Sequence, residues 1–276
     1  MKKEIPSQSP ESIEPGSYAH RFGGIERLYG EDAQLQIKQT HFAIIGLGGV
    51  GSWAAEALAR SGVGEITLID WDDICFSNTN RQIHAHTGTP GKAKVEVLAD
   101  RIHHINPSCR VHAIRDFYTA QNAETLLSSH IDYVLDAIDR KNAKIHLITF
   151  CYERGIPVIT CGGAGGRIDP SQIRTADLGE SDNDPLLAQL RKQLRKPLGL
   201  PREQRVHFGI PCVYSAEPMR YPTNDRKICL EKPKETTGPR QLDCAAGFGS
   251  ASFVTGSFGF AMAAYALNDL LLRKDA

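Results

Sequence analysis

Gly46-Leu47-Gly48-Gly49-Val50-Gly51 is followed by Asp70-Trp71-Asp72, then by Ser77-Asn78-Thr79-Asn80-Arg81-Gln82, and then by Lys94. A glycine loop between a strand and a helix lets backbone amides and the helix amino terminus close on a phosphate. In that pattern Gly46 makes the tight turn, Gly48 admits the phosphate to the backbone, and Gly51 allows the helix to pack closely. Asp70, at the end of the next strand, can accept hydrogen bonds from ribose hydroxyls. The glycines alone would suit any dinucleotide-binding protein. Asn78, Arg81, Gln82 and Lys94 bring polar and cationic groups to the phosphate end, where hydride transfer has no use for them. Attack on phosphorus does need them, because a guanidinium fork and an ammonium stabilise the charge that builds on a transferring phosphoryl group.

Asp136 and Asp139 lie in Leu135-Asp136-Ala137-Ile138-Asp139, at the carboxyl edge of the fourth expected strand. A carboxylate there can hold Mg²⁺ on nucleotide phosphates, since this hard cation takes one or two carboxylates plus phosphate oxygens. Asp136 fits a helix cap or a buried acceptor equally well, which makes Asp139 the metal candidate. Cys212 and Cys244 could act as thiol nucleophiles. No neighbouring feature lowers the pKa of either, and both stay outside the catalytic set.

These residues need a scaffold that gathers strand ends, and the sequence predicts one. Short β-rich runs alternate with helical periodicity through residue 160, the pattern of an α/β fold with a mostly parallel, doubly wound, Rossmann-like sheet. The expected strands are His41–Ile45, Glu65–Asp70, Arg110–Arg115, Ile131–Ala137 and Ile156–Thr160. The expected helices are Ser52–Arg60, Lys92–Ile105 and Asn142–Arg154, with one or two more over Tyr18–Gln39 on the flank of the sheet. The division expected is a tail over 1–16, a nucleotide-binding domain over 17–165, and an extension over 166–276 that completes the sheet with strands and helices.

Composition narrows the function further. The 276 residues carry 32 basic and 32 acidic side chains, so nucleic-acid binding has to come from a local patch. Residues 186–240 supply one, with twelve Lys or Arg against five acids. The seven cysteines include no C-x-x-C pair, which excludes a zinc ribbon and a redox dithiol. Their odd number, with no secretory leader, points to a reducing cytoplasm. Residues 244–267 are without formal charge, but their glycines, serines and threonines read as a packed core helix and not as a membrane span.

The glycine loop, Asp70-Trp71-Asp72, Ser77–Gln82, Lys94 and Ala137-Ile138-Asp139 together resemble the E1-like adenylyltransferases, over residues 20 to 165. That resemblance implies ATP and Mg²⁺, with Gly46, Gly48, Gly49 and Gly51 at the phosphates and Asp70 on the ribose. It places Asn78, Arg81, Gln82 and Lys94 around the triphosphate, counts Asp72 among the nucleotide-binding residues, puts Asp139 on the metal, and makes Arg81, Lys94 and Asp139 the catalytic group. In this family the arginine commonly serves the neighbouring subunit, which implies a homodimer. Sulfur-carrier adenylyltransferases usually bear two C-x-x-C pairs and an Asn where Arg140 stands, and ubiquitin-type enzymes need a large cysteine domain. Neither is present in this sequence.

His20-Arg21-Phe22-Gly23-Gly24, Cys161–Gly166 and Asp243–Gly249 are similar instead to the tRNA threonylcarbamoyladenosine dehydratase branch of that superfamily. This similarity implies ATP-dependent cyclisation of threonylcarbamoyladenosine at position 37 of tRNA, with residues 186–240 on tRNA phosphates and a cysteine desulfurase as an open partner. The alternative is an enzyme that adenylates the carboxyl terminus of a ubiquitin-like sulfur carrier. A non-catalytic nucleotide-binding scaffold and a nicotinamide oxidoreductase rank below both.

Overall fold

The structure is a computed structural model that describes residues 14–127, 130–201, 206–223, 225, 227–230 and 248–274. The Asp243–Gly247 part of the third motif, Cys244, most of the expected tail and six cations of the basic segment lie outside the described residues.

The elements in chain order are α1 (Tyr18–Tyr29), α2 (Glu31–Gln39), β1 (His41–Ile45), α3 (Gly51–Arg60), β2 (Glu65–Ile69), α4 (Lys94–Ile105), β3 (Arg110–Ile114) and α5 (Ala123–Leu126). They continue with β4 (Tyr133–Asp136), α6 (Lys141–Glu153), β5 (Val158–Cys161), β6 (Ile173–Asp177), α7 (Pro185–Leu194), β7 (Pro211–Ser215), β8 (Tyr221–Pro222), β9 (Ile228–Cys229) and α8 (Ser252–Lys274). The flank predicted as one or two helices is two. Ser17 caps the first by accepting from the His20 amide, and Gly30 at φ +92° turns the chain between them.

Seven strands form one sheet in the order β3-β2-β1-β4-β5-β7-β6, parallel throughout except for β6 against β7. Strand β1 is buried at all five residues, as a parallel strand covered on both faces must be. Phe42 and Ile44 of β1 face a core shared with α2, α3, α4 and α8, whereas Ala43 and Ile45 face one shared with α5, α6 and α7. The order reverses between β1 and β4, and Ile45 pairs with both Ile69 and Asp136 at the strand ends. Open α/β sheets take their ligands in the crevice outside such a reversal.

The uncharged stretch behaves as a core element. It runs into α8, whose Gly259 lies so near α3 that a Cβ there would stand 2.5 Å from the Val50 carbonyl oxygen. No helix among the described residues is long and apolar enough to cross a membrane.

The sequence reading misses several elements after residue 165. The alternation in Arg167–Leu178 predicts a longer strand than β6, because Asp169 and Pro170 start a turn that delays the strand to Ile173. Helix α7 hides its buried Leu187, Leu190 and Leu194 among basic residues, and its amino end is set by Asp184, which accepts from the Leu186 and Leu187 amides. The short α5, β7 and the β8–β9 pair were also unread.

The exit of β4 is fixed by a fully buried ion pair. Lys144 Nζ of α6 stands 2.9 Å from Asp136 Oδ2 and donates to the Asp136 carbonyl at 3.0 Å. Thr160 of β5 donates to Asp136 Oδ2 at 2.7 Å. Burial opposes the charge on Lys144, yet the adjacent Asp136 carboxylate holds its pKa above the ordinary lysine value. Removing one partner leaves the other charge buried alone. Lys144→Ala should therefore cost about 3–5 kcal/mol of unfolding free energy in urea, with the Asp136→Asn, Lys144→Met double variant recovering part of the loss.

Candidate active site

The glycine loop joins β1 to α3 and rests against the exit of β4. A Cβ on Gly46, which has φ +88°, would lie 2.7 Å from the Ala137 carbonyl oxygen, and one on Gly51 would lie 1.9 Å from the Gly46 oxygen. These two positions accept only glycine. Gly48 faces open space, with nothing within 4 Å of an added Cβ. Around it, the backbone amides of Gly48, Gly49, Val50 and Gly51 make no hydrogen bond among the described residues. Four unpaired donors at the amino end of a ten-residue helix form an anion cradle.

Asp70 stands just past β2 and is nearly buried. Its carboxylate accepts from the Leu47 amide at 2.6 Å and the Asp72 amide at 2.8 Å, tying the glycine loop to the β2 exit. Burial raises its pKa above the ordinary value, against the pull of Lys94 and of those two amides. Lys94, the first residue of α4, is buried with its ammonium 2.8 Å from Asp72 Oδ2 and 3.9 Å from Asp70 Oδ1. The glycine loop, Asp70, Asp72 and Lys94 thus converge as one group.

The other expected residues sit differently. Asn78 is buried, and its Oδ1 accepts from the Cys75 amide at 3.0 Å, so part of its work is to cap the short turn at Phe76–Asn78. Gln82 is buried with Oε1 unpartnered among the described residues. Arg81 curls over its own loop, donating to the Ser77 carbonyl at 2.8 Å and Asn80 Oδ1 at 3.0 Å, and its side chain makes no hydrogen bond to the Lys94 group. Its carbonyl accepts from Trp53 Nε1 at 2.9 Å and Thr255 Oγ1 at 3.2 Å, so α3 and α8 both anchor the loop. Asp139 is exposed in the loop that begins at Ala137, with no hydrogen bond or ion pair among the described residues. Asp136 is the buried acceptor of the two carboxylates.

Three features of the site escaped sequence reading. Ser52 Oγ and both ring nitrogens of His84, like Gln82 Oε1, are buried without hydrogen-bond partners among the described residues. The rim carries stacked rings, Trp71 on Phe117 with centroids 5.6 Å apart, flanked by the guanidinium of Arg115 over Trp71 and that of Arg140 over Phe117 at 4.5 Å. Their positions are scattered along the chain, and only the fold brings them together. Cys212 is fully buried in β7, and burial pushes its thiol up to about 12, which removes it as a nucleophile.

The unpaired amides, the open space over Gly48, and the buried hydroxyl and amide oxygen suit the phosphates and hydroxyls of a nucleotide. Residues 24–273 match the ThiF family. The chain belongs to the ThiF family. Among relatives of this ThiF-family chain, the tRNA threonylcarbamoyladenosine dehydratase of Escherichia coli is 47% identical over 257 residues, covering 93% of this chain and 96% of that protein. The protein of the same name from Haemophilus influenzae is 45% identical, covering 94% and 96%. The structure of the Escherichia coli dehydratase in complex with ATP superposes with a TM-score of 0.81 at 44% identity, covering 93% of this chain and 96% of that one.

His84 gives the site a pH signature. Burial, with Lys94 next, lowers its pKa from 6.5 to about 3. Below pH 6.5 the unfolded chain takes up a proton that the folded chain refuses, so this group's contribution is complete above that pH and is lost as the pH falls toward 3. Urea unfolding of wild type and His84→Leu should show a difference that shifts against wild type by up to about 1.4 kcal/mol per pH unit between pH 6 and 4.

Proposed function

We propose that this chain dehydrates N6-threonylcarbamoyladenosine in tRNA to its cyclic form at the expense of ATP. The likeness to dehydratases over 93% of its length carries this reading. In support of it, the crevice at the sheet reversal offers four free amides to phosphate, with Asp70 and Lys94 beside them. The sulfur-carrier alternative shares the ATP site, but the paired C-x-x-C cysteines that usually accompany it are missing from the sequence.

The chemistry follows from activating a carboxylate. A carboxylate oxygen of the threonyl group attacks the α-phosphorus of ATP, and the bond to the β-phosphate oxygen breaks to release pyrophosphate. The carbamoyl group then attacks the acyl carbon, AMP leaves, and the ring closes with the net loss of one water. No nucleophile from the protein is needed, which agrees with the inert Cys212. The chain supplies position and charge. The amides of Gly48, Gly49 and Gly51 hold phosphate oxygens, Asp70 orients the ribose, and Asn78 and Gln82 line the triphosphate. Lys94 exchanges its Asp72 partner for phosphate as charge builds.

Asp139 is the residue to hold Mg²⁺, because its carboxylate is exposed at the strand exit and has no hydrogen bond or ion pair among the described residues. When bound, that ion would neutralise phosphate charge. Residues 17–165 form the ATP-binding part, and 166–276 the extension that carries tRNA on the basic stretch 186–240. Helix α7 contributes Arg191 and Lys192 to that stretch. Two copies of the chain associate, so that Arg81 serves the partner's site. The apolar side chains of Phe76, Phe253 and Phe260, 78%, 56% and 48% exposed, offer a surface for this contact. A cytoplasmic enzyme fits such a substrate.

The direct test incubates the purified protein with ATP, Mg²⁺ and tRNA bearing threonylcarbamoyladenosine, then weighs the digested nucleosides. The nucleoside should lose one water only when ATP is present, and Asp139→Ala should abolish the change. Arg81→Ala and Lys94→Ala should each slow the reaction on the order of a hundredfold. An unchanged nucleoside, with pyrophosphate exchange dependent on a small carrier protein, would replace this reading with the sulfur-carrier one. Affinity for tRNA should fall steeply between low and moderate salt.

A further inference from the structure

A second cluster of ligating side chains stands at the opposite edge of the sheet from the glycine loop. His41 is the first residue of β1 and Glu65 the first of β2, and they pair in register. His112 of β3 lies opposite Thr67, two residues on from Glu65 and on the same face. Three adjacent parallel strands thus present His, Glu and His together, and one ligand atom from each falls within 4.8 Å of the other two.

We infer that His41, Glu65 and His112 bind a divalent transition-metal ion of the zinc class. The donor set, two imidazoles and one carboxylate, is one that zinc takes in proteins. His41 Nδ1 is 3.8 Å from Glu65 Oε1, His112 Nε2 is 2.7 Å from the same oxygen, and the His130 carbonyl oxygen is 2.9 Å from His41 Nδ1. These separations bracket the edge of about 3.4 Å expected for a tetrahedron of ligands about 2.1 Å from zinc. The ion takes the place of the protons that now bridge these atoms, and the backbone carbonyl is within reach as a further oxygen donor.

The outer contacts are those a metal site requires. His41 Nε2 lies 2.8 Å from Thr67 Oγ1, so the ring's second nitrogen is held when the first binds metal. Burial lowers the pKa of His41, which keeps the ring neutral and able to ligate near neutral pH. Burial works the other way on Glu65, yet the hydrogen bond from His112 and the charges of its neighbours hold the carboxyl below its ordinary value. The competing cation, Arg110, stands 3.2 Å from the other Glu65 oxygen, but its side chain is 75% exposed and its charge largely solvated. The His112 side chain, 44% exposed, leaves a path for the ion. Because β3 is the outer strand of the sheet, a bound ion clips that strand to β1 and β2.

The experiment titrates full-length, metal-stripped protein with Zn²⁺ against a chromophoric chelator at pH 7.5, and repeats the titration with Co²⁺ while recording its visible spectrum. Wild type should bind one saturable equivalent that the exposed-side variant His112→Ala and the variant Glu65→Gln both lose, while Asp139→Asn keeps it. Zinc in hundredfold excess over its dissociation constant should raise the Tm of wild type on the order of 5 °C and leave His112→Ala unmoved. Equal binding by wild type and His112→Ala, no saturable binding at all, or a cobalt spectrum with thiolate charge transfer would each overturn the assignment.

Discussion

Everything at the catalytic edge of the sheet hangs on the charge buried at the end of β4. Asp136 sits where the strand order reverses, held by Lys144 from α6 and Thr160 from β5. A charge pair with no access to water is a poor way to gain net stability, because desolvation offsets most of the attraction. Its value here lies in geometry. The Asp136 carboxylate also accepts from the Ile138 amide at 3.2 Å, so it aims the loop that presses Ala137 onto Gly46 and carries Asp139 outward. Moving this pair would move the floor of the glycine loop.

The nucleotide-binding half was legible because its signals are local. The apolar run His41–Ile45 and the glycines each announce themselves within a few residues, and most strand and helix limits in this half fall within two residues of those read from sequence. Sequence preferred Asp139 to Asp136 as the metal candidate but left the role of Asp136 open between cap, buried acceptor and ligand, which only its burial distinguishes. What could not be read depends on distance along the chain. Nothing near Arg81 foretells its anchorage by Trp53 and Thr255, and nothing near Trp71 foretells Phe117 or Arg140. Helix α7 was missed for another reason, its apolar stripe being thinned by the same basic residues that drew attention to the segment.

Electrostatically the site is self-neutralised before any nucleotide arrives. Lys94 is flanked by Asp70 and Asp72, and the four amides of the cradle carry only partial positive charge. Under the proposed role of Lys94, a phosphate would compete with Asp72, a partner more than half exposed. The ion pair holds a buried side chain in place between two carboxylates. His84, neutral by burial, adds no competing positive charge beside it.

Helix α8 reaches back across almost the whole chain. Asn80 donates to the Ser250 carbonyl at 2.7 Å, Thr255 donates to the Arg81 carbonyl, and Gly259 lets the helix settle on α3. During synthesis the Arg81 loop leaves the ribosome 170 residues or more before Ser250 and Thr255, which anchor it. The arginine loop gains these anchors only when α8 docks, and the same helix completes the core beneath the glycine loop. Competence for reaction is thereby tied to the docking of α8, without which Trp53 alone holds the Arg81 carbonyl and the core beneath the glycine loop stays open.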